Sequence, residues 1–164
     1  MSKQFIWKAA RNDQGQITYF LSGEITENSP IKQFAGEVQA FTGMTILLDM
    51  SNLHEVNSSG IANWMKFIEF LKNYKITVEF IKCSVTIVQQ MNMVRQFSGG
   101  FKVRSIYCPY FCPSCDTESI VVIEIPDGAT SNIVDLPENI ACDNCDGKRE
   151  FDDLAESYLS FLDA

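Results

Sequence analysis

Two short cysteine pairs constrain this chain more than any other feature. Cys112-Pro-Ser-Cys115 and Cys142-Asp-Asn-Cys145 each hold two residues between their sulfurs, and 26 residues separate the pairs. A two-residue gap lets both thiolates of one pair point at a single ion from a tight knuckle. A second knuckle, returned by a long excursion, closes a tetrahedron. The spacing predicts a four-thiolate zinc site. With every coordination position filled by protein, such a site is structural and not catalytic. Cys108 lies four residues before Cys112 and is a competing thiol. Cys83 follows an apolar run and reads as a small core residue.

The chain has 164 residues, 46% of them hydrophobic, so it can bury a real core. Its net charge of −8 is unevenly spread. Residues 1–107 carry 11 Lys/Arg against 8 Asp/Glu, whereas residues 108–164 carry 2 against 13. The change of sign falls at the start of the cysteine cluster and predicts a modular chain: a domain over 1–107, a metal module over 108–151 and a helix over 152–164. Nucleic-acid affinity comes largely from cations that displace counterions, so the acidic module is expected to meet a protein and not a phosphate backbone. No apolar run reaches the roughly 18 residues of a membrane span. The first residues lack the apolar stretch of a secretory signal. A cytoplasmic setting is expected, where thiols stay reduced and bind metal.

The first half alternates strand and helix signals. Residues 5–7 and 17–22 flank the turn cluster Asn12-Asp13-Gln14-Gly15 and predict a hairpin. Ile31, Phe34, Val38 and Phe41 recur at helical spacing behind Pro30. Residues 45–49 predict a buried strand. A loop follows, then a helix over 61–72 with Ile61, Trp64, Met65, Ile68 and Leu71 on one face. A strand over 76–81, a helix capped by Ser84 with Val85, Val88, Met91 and Met93, and a strand over 101–107 complete the order β-β-α-β-α-β-α-β. That order predicts an α/β layer fold. Residues 119–125 and 147–151 read as strands of the metal module, with loop over 129–139. Leu154, Tyr158, Phe161 and Leu162 recur at helical spacing, as a face packed on the protein's own body or as a partner contact.

The segment Leu-Leu-Asp-Met-Ser-Asn-Leu-His-Glu-Val-Asn-Ser-Ser-Gly-Ile, residues 47–61, carries a resemblance. An apolar strand ending in Asp49 and Ser51, a short loop, Ser58-Ser59-Gly60 and an amphipathic helix resemble the STAS domain of bacterial anti-sigma-factor antagonists and sulfate-transporter tails. Gly23-Glu24-Ile25 is similar to that family's Gly-Glu-Leu turn. The resemblance covers about residues 5–107. It implies a STAS-like mixed sheet with helices, and a regulatory protein that binds an anti-sigma factor, a serine kinase or another signalling protein. In the family's antagonists, the serine after Asp in Asp-Ser-Ser-Gly is phosphorylated, which switches partners. The matching residue is Ser58. It follows Asn57 where the family has Asp, which puts kinase recognition in question. Asn57, Ser58, Ser59 and Gly60 form the expected partner patch, with Trp64 at its edge. A phosphorylation-independent scaffold or ligand-binding STAS protein is the competing reading. Ser58 and Ser59 also have a plain role as caps of the following helix.

The cysteines themselves resemble the knuckles of a zinc ribbon, a small β module clamped by one structural Zn2+. The third reading is thiol redox chemistry at Cys112 and Cys115. It lacks the helix that such sites place behind the first thiol, since Cys115 leads into a β-branched run. His54, the single histidine, lies in the loop before Ser58 without an evident nucleophile, and no phosphate-cradling loop is present. The chain is therefore read as a non-enzyme.

Overall fold

The structure is a computed structural model that describes residues 3–164. Its fold is mixed α/β, as the alternation predicts: a five-stranded mixed sheet with helices, then a curled antiparallel sheet that bears the cysteines. The first sheet, sheet A, contains β1 (Ile6–Arg11), β2 (Ile17–Ile25), β3 (Thr45–Val56), β4 (Thr77–Ile81) and β5 (Lys102–Val103) in that spatial order. β1 and β2 form the expected antiparallel hairpin, and the remaining neighbours run parallel. Parallel neighbours need crossovers, which α1 (Ile31–Val38), α2 (Ser58–Asn73) and α3 (Val85–Met93) supply.

β3 is longer than its sequence signal. Residues 50–56, expected as loop, pair with β2 as far as Val56, so exposed His54 sits on a strand. The exposed pair His54-Glu55 hides this strand from a hydrophobicity reading, although Met50 and Leu53 beside it are buried. β2 likewise runs through Gly23 to Ile25, past its expected end at residue 22; Gly23 has a φ of +99°, and a Cβ there would lie 2.2 Å from the Gln4 carbonyl oxygen.

The helices bury stripes that differ from the expected ones in membership. α1 buries Ile31, Phe34, Ala35 and Val38, one face at 3.6 residues per turn. α2 buries Gly60, Trp64, Phe67, Ile68 and Leu71, with Ile61 and Met65 half-buried at the margin. Ser84 caps α3 as predicted, accepting from the Ile87 N–H at 3.3 Å. Met93, the last apolar residue expected on that helix, is 69% exposed, because two residues past Met91 is the opposite side of a helix. An aromatic core fills the space beneath these helices. Phe34 meets Phe5, Trp7, Tyr19 and Phe67, and Trp64 stacks on Phe97.

The strand expected over 101–107 is broken at Arg104. Its N–H donates to Phe80 of sheet A, and its carbonyl accepts from Ile125 of the second sheet, so the chain changes sheets at one residue. β6 (Ser105–Cys112) then belongs to sheet B, ordered β7 (Thr117–Glu124), β6, β9 (Lys148–Phe151), β8 (Ile140–Ala141). The expected module junction at 107–108 falls inside β6. Cys83, just past β4, bridges to β6 through Cys83 N–H to Ser105 and Tyr107 N–H to Cys83. Ile106, Cys108 and Tyr110 join the same buried cluster as the sheet A core. The tail forms α4 (Ala155–Tyr158) and a closing 3₁₀ turn, and it packs on α3: the Asn92 side chain donates to the Tyr158 carbonyl and accepts from Ser160 and the Phe161 N–H. Tyr158 and Leu159 are buried there, whereas Leu154 is 72% exposed. No described helix is long and apolar enough to cross a membrane.

Candidate metal centre and the entrance of α2

Sheet B brings the two cysteine pairs together. Cys112 ends β6, Cys115 lies in the turn before β7, and Cys142 and Cys145 lie in the turn between β8 and β9. The four sulfurs all lie within 4.8 Å of one another. Cys112 and Cys145 are 3.6 Å apart, and Cys115 and Cys142 are 3.7 Å apart, so each contact crosses from one knuckle to the other. Zinc–sulfur bonds of about 2.3 Å at tetrahedral angles set an edge of about 3.8 Å. A disulfide would need about 2.05 Å. The cluster is therefore compatible with a four-thiolate metal site such as that of a zinc ribbon, and its sulfur separations are not those of disulfides.

The surroundings suit thiolates. The backbone N–H groups of Asn144 and Gly147 point at Cys142 and Cys145 at 3.4 and 3.2 Å, and the Thr117 hydroxyl lies 3.0 Å from Cys115. The hydrogen bonds from Thr117 and Asn144 bring the Cys115 thiol down to about 6. The Asn144 backbone N–H lowers Cys142. At Cys145 the Gly147 N–H also pulls downward, but burial and contact with the other three sulfurs prevail and push it up to about 12. Gly147 is required for closeness: a Cβ would lie 2.5 Å from the Ser114 hydroxyl, so the second knuckle rests directly on the first. Arg149 braces the second knuckle through Ala141 and Asp143, a role not visible in the sequence.

Cys108 does not join the cluster. It points from β6 into the core, fully buried, and burial raises its thiol to about 12. The strand alternation that sends Cys108 inward also sends Cys112 inward, but beyond the shared core, at the knuckle. Cys83 is an interior residue, as expected.

A metal ion held by these four sulfurs would be bound more weakly in acid, since each ligand gives up its proton to bind. Cys115, lowered from 9, favours the folded thiolate above that value and loses the advantage as pH falls through about 6. Cys145, held up at about 12, still has a proton to release at neutral pH. The expected result is proton release on zinc binding at pH 7 and steeper loss of affinity below about pH 6, measured by calorimetry in buffers of different ionisation enthalpy and with a chelating dye.

The second candidate site is the start of α2. Asn57, not Ser58 or Ser59, is the N-cap: its side-chain oxygen accepts from the Gly60 N–H at 2.7 Å. Ser58 and Ser59 fall in the first turn of the helix and are exposed. The Asn57 amide donates to Glu27 at 2.9 Å, and this hydrogen bond lowers the Glu27 carboxyl. A carboxylate thus stands at the helix entrance although residue 57 carries none. The two residues lie thirty positions apart, so no local motif could announce the pair. Two expected patch residues are corrected. Trp64 is fully buried, its indole N–H donating to the Phe97 carbonyl at 2.9 Å, because it lies on the core stripe of α2. Gly60 is buried too, and the backbone it admits is the chain's own: a Cβ would sit 2.0 Å from the Ile25 carbonyl oxygen.

No family model matches the chain. A search of curated proteins likewise found no match.

Proposed function

We propose that this chain is a regulatory protein–protein interaction module, a STAS-like domain carrying a structural zinc ribbon, in which partners meet the protein at the entrance of α2. The observation that carries this reading is the exposed pair Ser58 and Ser59 in the first turn of a rigidly held helix. Asn57 caps that helix, and Asn63 ties it to the Thr26 and Glu27 carbonyls. The contact patch is therefore Asn57, Ser58 and Ser59 with Glu27. A cytoplasmic bacterial setting with an anti-sigma-factor or kinase-like partner follows from the resemblance.

A phosphate on Ser58 would bring roughly −1.5 to −2 charges to this entrance, where unpaired helix N–H groups stabilise anions. Glu27 bears on the outcome in both directions. It supplies the negative charge that Asn57 lacks, and it opposes a second anion beside it. The latter favours the competing reading, a scaffold that works without phosphorylation. Mass spectrometry of native protein and a pull-down with Ser58→Asp separate the two. For a switch, phosphate is found on Ser58, and Ser58→Asp loses about tenfold or more of partner binding. An unmodified Ser58 with an inert Ser58→Asp leaves the scaffold.

A further inference from the structure

Sheet B ends in an open edge. β7 pairs with β6 on one side and, among the described residues, with no strand on the other. The phase of that ladder is fixed by the Ile125 N–H donating to Arg104 at 2.8 Å. In an antiparallel pair alternate residues turn their backbone toward the partner. Thr117, Ser119, Val121 and Ile123 thus bond to β6, and Glu118, Ile120, Val122 and Glu124 turn their N–H and C=O groups to the open side. Pro109 fits this phase: it sits opposite Ile120, needs no N–H there, and gives its carbonyl to the Asp152 N–H on its other flank.

The four residues with unpaired backbone also present their side chains to water. Ile120 and Val122 are 49% and 45% exposed, and glutamates flank them at both ends. Next to Ile120, a hollow of about 230 Å³ opens between Pro109, Glu118 and Asp152. Apolar walls with two carboxylates suit the stem and head of a lysine or arginine. The cations of the flanking strands are committed or displaced. Arg104 pairs with Glu79, Lys102 with Asp127 and Arg149 with Asp143, and Lys148 lies two residues beyond Glu150 on β9.

We infer that β7 is a docking edge for an extended segment of a partner protein, which adds a fifth strand to sheet B and carries a basic residue, two alternate apolar residues and a second basic residue to face Glu118, Ile120, Val122 and Glu124. Backbone pairing provides the hold, and the charge pattern selects the partner. A second copy of this chain is the poorer occupant. In the symmetric register centred on Val121, Glu118 of one copy faces Glu124 of the other, and like charges directly opposite destabilise a strand pair. An edge with exposed apolar residues and no cover ordinarily invites self-association, and these two glutamates discourage it.

The test uses the zinc-loaded full chain and a fluorescein-labelled peptide, Lys-Thr-Ile-Thr-Ile-Thr-Lys, followed by anisotropy. Saturable binding is expected, weakened about tenfold by the double change Glu118→Lys and Glu124→Lys and by exchanging the peptide's lysines for glutamates. Val122→Pro is expected to abolish binding, since it removes an edge N–H and no bond to β6. Peptides N-methylated on one or the other alternating set of amides repeat that test without touching the protein, and only one set is expected to block. Ser58→Asp should leave peptide binding unchanged, which separates this edge from the proposed role of α2. Absence of saturable binding, or binding indifferent to the glutamate changes, overturns the inference. So does a dimer in sedimentation that Val122→Pro abolishes, because the edge then belongs to a second copy.

Discussion

Replacing Cys112 by serine is expected to strip zinc from the protein and to melt β7, β8 and β9 while β2, β3 and β4 stay folded. Wild-type protein should carry about one zinc ion per chain. The knuckle region cannot stand without a clamp. β8 and β9 hold no fully buried residue, and residues 126–139 form no helix or strand. A segment of this size buries too little apolar surface to fold on its own. Structural zinc supplies on the order of 10–16 kcal/mol of binding free energy in small peptides at neutral pH, so its loss decides the local balance. The aromatic cluster around Phe34 and Trp64 contains no residue of sheet B, so it is expected to hold sheet A together without the knuckles. Hydrogen exchange by segment and metal analysis read the two halves separately: protection should vanish over 113–151 and persist over 45–56. Cys108→Ala is the matched control and should retain the full metal content, because that thiol lies in the core. Slow exchange of β9 in Cys112→Ser would mean that the sulfurs gather for another reason.

Gly60→Ala is expected to destabilise the protein by roughly 2–4 kcal/mol, against the usual gain of alanine in a helix. The added Cβ would meet the Ile25 carbonyl oxygen at 2.0 Å, the Ile25 carbonyl carbon at 2.4 Å and the Thr26 nitrogen at 2.8 Å. All three are backbone atoms, so relief requires moving the end of β2 away from α2. The same Ile25 carbonyl accepts the Asn57 N–H at 3.1 Å, and the cap would shift with it. Gly36, inside α1 with nothing within 4 Å of its would-be Cβ, gives the opposite sign: Gly36→Ala should stabilise by about 1 kcal/mol. Thermal unfolding of the two variants beside wild type checks both. A Gly60→Ala protein as stable as wild type would show that the α2 entrance is free to move, contrary to the packing described here.

Periodicity and turn chemistry located most of sheet A and its helices, because Ile31, Phe34 and Val38, or Ser84 ahead of α3, express local rules. The failures share one cause. The outer half of β3 looks like a loop because polar Ser51, Asn52, His54 and Glu55 interrupt its buried Met50 and Leu53, and only pairing with β2 makes it a strand. Asn57, Ser58 and Ser59 are equally good caps by composition, and the geometry at Ile25 decides among them. Helical spacing already put Trp64 on the apolar face of α2, where it is buried; its place at the edge of the contact patch came from the resemblance.

Ligand spacing within each cysteine pair is a property of a few consecutive residues, and so the four-thiolate set could be read directly from the chain. The same holds for the alternation of strand and helix, which is written in side-chain period. What the folded arrangement alone decided is everything that depends on distant segments meeting. Glu27 meets Asn57, the chain changes sheets at Arg104, Cys108 turns away from the four-cysteine cluster, and the outer edge of β7 is left without a strand among the described residues. Local preference acts over one or two turns of chain, whereas these contacts join residues tens of positions apart, and the chain carries no periodic signal over that range.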